Sequence, residues 1–573
     1  MKKTTSNSIK RNLTMTLSLM MTATMLASCG SGYDGSESRK SGSYNNERTT
    51  AENYRYSNVT AGDTDGTANI GGGYNTEEYN HLTENGYKLV SDEPLSTFST
   101  DVDTASYTNV RRMINDGWEV DPDAVRTEEF INYFKYDYEK PTEGAVSINT
   151  EFSDCPWNSE AKLMLVGLQA REAKVKDVPT NLVFLIDVSG SMEDEDKLPL
   201  VQQAFSMLAE NLGADDRVSI VTYAGSDSVV LEGESGDNSE EIVSALNSLS
   251  AGGSTAGAAG ITTAYKLAEE YFIEGGNRVI LATDGDLNVG LSSEEELTSL
   301  ISQKRDSGVY LSVLGFGSGN YKDNRLEALA DNGNGNYAYI DSVDEAKRVL
   351  VTEMSGTLFT VAMDAKVQIE FNPENVSAYR LVGYENRLLN DEDFEDDTKD
   401  AGDIGSGQQV TVLYEIVPNN GNEKSLKYQD NESKAETNEL SGEMLTVSVR
   451  YKDPEASESK LIDKSVMCSD YTEAVSQNFA KACSAAEFAM VLRNSDYASG
   501  LTAQGVVDYM EQNNVDNSEL FELIYKYMEC ISANDHSRLS ELSNSMDISD
   551  AWNYEHRIKE VLSKLNISNF HEH

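Results

Sequence analysis

Asn181-Leu182-Val183-Phe184-Leu185-Ile186-Asp187-Val188-Ser189-Gly190-Ser191-Met192 joins an apolar run to a short polar turn. The unbroken apolar run Leu182 to Ile186 has the length of a strand buried on both faces of a parallel sheet. Asp187, Ser189 and Ser191 follow at its carboxyl end, where open α/β sheets seat their ligands. Gly190 lets the backbone turn sharply between the two serines. One carboxylate and two hydroxyls converging on a point are hard oxygen donors, the set that Mg2+, Mn2+ or Ca2+ takes. Three donors hold a divalent ion poorly, so others are expected further along the chain.

Two later places offer them. Gly252-Gly253-Ser254-Thr255-Ala256-Gly257 is a glycine-rich loop opening a helical pattern, with Thr255 as a free hydroxyl. Val279-Ile280-Leu281-Ala282-Thr283-Asp284-Gly285 is a second buried strand ending in a carboxylate. The same residues could be strand-end turns whose Ser and Asp only cap helices. Their order and context, however, resemble the metal-ion-dependent adhesion site of von Willebrand factor type A domains. Asp187, Ser189, Ser191, Thr255 and Asp284 match the five positions of that site. The resemblance implies binding, not turnover. A divalent cation, Mg2+ foremost and Mn2+ or Ca2+ as alternatives, would keep one coordination position open for a Glu or Asp of a protein partner.

Around this core, strand and helix patterns alternate from Asn181 to about Thr357. Strands are expected at 181–187, 217–223, 277–283, 309–315 and 336–340. Helices are expected at 198–211, 239–248, 257–272, 293–305, 325–331 and 343–357. The fold class is therefore α/β, a doubly wound, mostly parallel sheet, von Willebrand factor A-like and Rossmann-like. Right-handed crossovers would bring the ligand-bearing strand ends to one edge. Asp284, Asp286, Asn288 and Glu295 imitate an EF-hand loop, but Val289 stands where that loop needs glycine and a strand precedes it. Glu193, Asp194, Glu195 and Asp196 read as a solvated acidic loop beside the site.

The 573-residue chain carries 97 acidic against 46 basic residues, a net charge of −51. This balance argues against nucleic-acid binding, which needs a basic footprint, and against adsorption to anionic lipid. Of the five cysteines, Cys155, Cys468, Cys483 and Cys530 are far apart and leave buried thiols and disulfides both open. His81, His536, His556, His571 and His573 have no zinc-like spacing.

Residues 1–29 read as an export signal. Lys2, Lys3, Lys10 and Arg11 precede an apolar stretch, Leu13 to Leu26, too short to span a bilayer. Leu26-Ala27-Ser28-Cys29 resembles a bacterial lipoprotein box, which implies lipidation at Cys29, an acyl anchor and a folded part outside the cytoplasm. Residues 30–85, rich in Gly, Ser, Asn, Thr and Tyr, read as a tether with a reach of ~40 Å.

Residues 86–145 hold two expected helices, Thr104 to Asp116 and Asp123 to Phe134, with Asp123 as an N-cap. Their text, with Phe98 to Tyr107, is similar to a segment preceding the adhesion domain in one subfamily of bacterial lipoproteins. Asp101 and Asp103 are also reminiscent of a phosphatase nucleophile pair. Ala105 stands where that pattern wants Thr or Val, and no strongly apolar strand precedes it, so a structural role is expected. Val146 to Phe152 and Leu163 to Ala170, within 146–175, alternate like strands of a flanking antiparallel layer. The central domain spans 176–360. Residues 361–465 continue the β layer, and 466–573 turn helical, with Phe479, Ala482, Ala486, Phe488, Ala489 and Leu492 as an apolar stripe and further helix at 558–565. Phe488 to Ser495 resembles the C-terminal extension of the same lipoprotein subfamily.

Three functions follow in order of support. The first is a membrane-anchored, cation-dependent protein-binding module on the bacterial envelope. The second is an envelope assembly factor whose metal only stabilises the fold. The third, far behind, is a phosphatase using Asp101 and Asp103.

Overall fold

The computed structural model describes residues 77–172, 179–253, 257–285, 294–319, 321–419, 442–454 and 456–545. These all belong to one unit, Gly72–His573. Cys29, Thr255, Asp286, Asn288, Val289 and the expected helix at 558–565 lie outside the described residues.

The chain opens with β1 (Lys88–Leu89), β2 (Leu95–Ser99), α1 (Ala105–Asn115), α2 (Thr127–Tyr133), β3 (Val146–Asp154) and β4 (Lys162–Ala170). The central domain follows. Its first half is β5 (Asn181–Asp187), α3 (Leu198–Ala209), β6 (Arg217–Ala224), β7 (Ser226–Ser235), α4 (Ser239–Asn247), α5 (Gly257–Glu270) and β8 (Asn277–Thr283). Its second half is α6 (Glu294–Arg305), β9 (Val309–Phe316), α7 (Asp323–Asn332), β10 (Tyr337–Ile340), α8 (Val343–Lys347) and α9 (Met354–Leu358). Next come β11 (Thr360–Phe371), β12 (Val376–Val382), β13 (Gly402–Gly405), β14 (Gln409–Pro418), β15 (Glu443–Lys452) and β16 (Lys460–Met467). Helices α10 (Gln477–Arg493), α11 (Ala503–Gln512) and α12 (Ser518–Ser545) close the described chain.

The central sheet has the order β10-β9-β8-β5-β6-β7. Every neighbouring pair is parallel except β6 and the edge strand β7. Strand alternation divides β5 between two cores. Leu182, Phe184 and Ile186 pack with Val201, Phe205 and Leu208 of α3, and the Phe184 and Phe205 rings stack at 4.3 Å. Val183 and Leu185 point the other way, toward Ile261, Ala264 and Tyr265 of α5. Each such buried side chain contributes about 1.5–3 kcal/mol, which is why the run is apolar at every position. β7 was not expected as a strand, because every position along it is exposed or only partly buried.

The expected single antiparallel layer is two. One sheet runs β1-β12-β14-β4-β3; the other runs β13-β11-β15-β16, with β2 also paired to β11. Phe98, Met164, Val166, Ile369, Tyr379, Val412, Tyr414 and Val447 fill the core between them. The pairing of Val367 with Phe98 joins strands remote in sequence, a closure that no local pattern encodes. α10 lies in a third core, where Phe488 meets Phe130 of α2 edge-on at 6.3 Å.

Three local expectations are corrected. Residues 77–85, expected as the end of the tether, engage the folded body: Arg112 pairs with Glu77 at 3.0 Å and Lys322 with Glu78 at 2.8 Å. Asp123 is not the cap. The Asp121 carboxylate accepts from the Asp123 N–H at 3.0 Å, and α2 begins after Arg126 without a side-chain cap. The helix expected at 343–357 breaks into α8, a π-helical turn over Arg348–Thr352, and α9. Arg348 there holds Glu353 at 2.9 Å and stacks over Tyr133 at 4.5 Å. Of the two states left open for Cys155, Cys468, Cys483 and Cys530, the structure has free thiols.

Candidate metal centre

β5 and β8 are adjacent and parallel, with Ile186 opposite Ala282. Their carboxyl ends therefore deliver Asp187 and Asp284 to the same edge. Asp187 and Ser189 are buried, and Ser191 is exposed at the mouth. The Ser189 N–H donates to Asp187 Oδ1 at 2.8 Å, folding the turn so that the Ser189 and Ser191 hydroxyls meet at 3.0 Å. The glycine loop is tied to this turn by backbone bonds. Gly252 N–H donates to Val188 O at 2.8 Å, and Gly190 N–H to Gly253 O at 3.1 Å. The structure thus brings together Asp187, Ser189, Ser191 and Asp284. Thr255 is outside the described residues, between the pinned Gly253 and the start of α5 at Gly257.

Burial pushes the Asp187 carboxyl up to about 6, with the Asp284 charge adding to the effect and the Ser189 N–H opposing it. Asp284 is 2% exposed, and its Oδ1 is buried with no hydrogen-bond partner among the described residues. A buried carboxylate oxygen without a donor is costly unless something positive completes it. Two carboxylates and two hydroxyls at one sheet edge suit a hard divalent cation. Among the described residues no three His, Cys, Asp or Glu side chains gather into a ligand group. An ion here would therefore lean on hydroxyl and water oxygens as well as the two aspartates.

Two neighbours escaped the sequence reading. The Thr283 hydroxyl donates to Asp187 Oδ2 at 3.4 Å. Lys197, buried just before α3, places its ammonium 3.3 Å from Asp284 Oδ2 and 2.9 Å from the Ser191 carbonyl. The only signal for Lys197 was a single basic residue ending the run Glu193-Asp194-Glu195-Asp196, which reads locally as solvated.

Asp101 and Asp103 are held elsewhere. Arg387 donates to Asp101 Oδ2 at 2.9 Å and approaches Asp103 Oδ2 at 3.4 Å, while Asp101 Oδ1 accepts the Asp103 N–H at 2.9 Å. They line a cavity of about 240 Å3 that also contains Asp331, Asp400 and Asp403.

The von Willebrand factor type A domain family matches residues 181–351, a further von Willebrand factor family matches 73–165, and the family described as uncharacterized protein YfbK, C-terminal, matches 356–529. YfbK of Escherichia coli (strain K12) is 40% identical over 450 residues, covering 76% of this chain and 78% of YfbK. The chain belongs to the YfbK family. It joins a von Willebrand factor type A domain to the region matched by the YfbK C-terminal family. Among solved structures, a von Willebrand factor type A protein from Catenulispora acidiphila is 16% identical and covers 66% of this chain and 89% of its own, with a TM-score of 0.38. Proximal thread matrix protein 1 from mussel byssus, described with a zinc-occupied MIDAS motif, is 21% identical and covers 30% of this chain and 44% of its own, with a TM-score of 0.26.

Proposed function

We propose that this YfbK-family chain is a lipid-anchored, divalent-cation-dependent protein-binding module of the bacterial envelope. The observation that carries the reading is the edge where Asp187, Ser189, Ser191 and Asp284 meet, with Asp284 Oδ1 buried and lacking a donor among the described residues. The residues fit a cation: Asp187, Ser189, Ser191 and Asp284 would hold it, joined by Thr255 from the glycine loop. When bound, the ion supplies an electrophilic point for a partner's carboxylate. The chain's own side chains bury the ligands, exclude water from behind and leave the mouth at Ser191 open. Asp101 and Asp103 are engaged with Arg387, so catalysis there forms no part of the proposal.

The anchor rests on Leu26-Ala27-Ser28-Cys29. No helix among the described residues is long and apolar enough to cross a membrane. The test is capture of a purified envelope protein on immobilised full-length chain in Mg2+, in chelator, and with Asp284→Ala. Retention that needs both the ion and Asp284 supports the reading. Equal retention in chelator sinks it. A melting temperature that rises with Mg2+ while no partner depends on the ion would favour an assembly factor stabilised by metal.

A further inference from the structure

Lys197 is set into the metal centre by more than its two hydrogen bonds. It is 6% exposed although its neighbours Glu193, Asp194 and Glu195 are in solvent. Its stem runs along Gly317, where an added Cβ would collide with the Lys197 side-chain carbons. Gly317 has a φ of +72°, and its carbonyl accepts from the Tyr339 hydroxyl at 2.7 Å, which fixes that wall. The ammonium therefore has one place to be, between the Ser191 carbonyl and Asp284 Oδ2. Asp194, at 3.7 Å, is mostly exposed and screened by solvent, so it does not neutralise the lysine.

We propose that Lys197 is a resident counter-charge that sets what the centre binds, an inference that rests on the metal-site reading above. Without an ion, the ammonium partly satisfies Asp284 and competes with any arriving cation. With a divalent ion present, the charges are two aspartates, one ammonium and one dication, leaving the centre positive by one. A carboxylate at the open position then makes a neutral complex, which a buried site favours over a charged one. Without the lysine, the loaded centre would already be neutral and a carboxylate would make it negative. Lys197 thus weakens ion binding and strengthens selection for an anionic ligand, a specificity-determining role for a residue that need not touch the ion.

The test uses full-length chain, Mn2+ as the ion and acetate as the ligand, read by water-proton relaxation of bound Mn2+. Lys197→Met and Lys197→Gln should bind Mn2+ at least about tenfold more tightly, and their loaded forms should take acetate at least about tenfold more weakly. Lys197→Arg should stay near wild type on both. Neutral variants that match wild type in Mn2+ and in acetate overturn the role of Lys197 while leaving the metal site standing. A wild-type chain that binds no Mn2+ overturns the site itself. Should neither neutral variant fold, the wild-type chain decides: its loaded form must release coordinated water to acetate and not to neutral acetamide, and equal response to both overturns the inference.

Discussion

Glu487 gives a prediction whose size can be worked from the structure. It lies in α10, 2% exposed, in a helix whose residues Phe479, Ala482, Cys483, Ala486 and Phe488 are fully buried. Its Oε2 has no hydrogen-bond partner among the described residues. Burial alone pushes its carboxyl from 4.5 up to about 8. A carboxyl raised in the folded state favours the fold while protonated. Its contribution is complete below about pH 4.5 and is lost as pH rises through about 8, at about 1.4 kcal/mol per pH unit. The total is on the order of 5 kcal/mol, an upper bound because a charged Glu487 would draw water toward itself. Glu487→Gln keeps the shape and removes the titration. Urea unfolding of the full-length chain, followed at pH 5, 7 and 9, should show near-equal stability at pH 5. The variant should gain by roughly 3–5 kcal/mol at pH 9. Other buried carboxyls such as Glu129 titrate in both proteins and cancel in the difference. A variant-minus-wild-type difference that does not move with pH would refute the reasoning.

Gly335→Ala drives a Cβ into the Leu311 carbonyl; a loss of at least about 3 kcal/mol, or failure to fold, should appear in thermal melts. Arg387→Met leaves Asp101, Asp103 and Glu327 without their shared cation and should cost about 3–5 kcal/mol at pH 8. That cost should shrink at pH 5, because burial raises the Asp103 carboxyl and pushes Glu327 up to about 7, so both lean less on the cation once protonated; a melting-temperature loss equal at both values would contradict it. Full-length chain and Asp101→Asn should hydrolyse p-nitrophenyl phosphate at the same background rate, and an Asp101-dependent rate would revive the phosphatase reading.

The centre of the fold was legible because its strands are buried on both faces. Asn181–Asp187 and Asn277–Thr283 are marked by apolar text that polar neighbours bound sharply, and both stand where the pattern put them. The partly exposed β7 was not, since Ser-Asp-Ser-Val-Val-Leu-Glu-Gly-Glu-Ser is a strand by virtue of pairing with β6. The break at Arg348–Thr352 depends on ion pairs and a stacked tyrosine from α2, which a helical period does not contain. Likewise the second sheet of the sandwich requires partners hundreds of residues away. That Asp187, Ser189, Ser191 and Asp284 come to one edge was readable because each sits at a strand end or the turn beyond it. Lys197 was not, because its burial comes from Gly317 and Asp284 on other strands' ends.

Calorimetric titration of Mg2+ into the full-length chain and into Asp187→Ala asks whether this sheet edge holds the ion. The account predicts one saturable site in the wild-type chain and at least about a hundredfold loss in the variant, with the melting temperature of the ion-free proteins little changed. Equal Mg2+ affinity in the two proteins, or no saturable site in either, would contradict it.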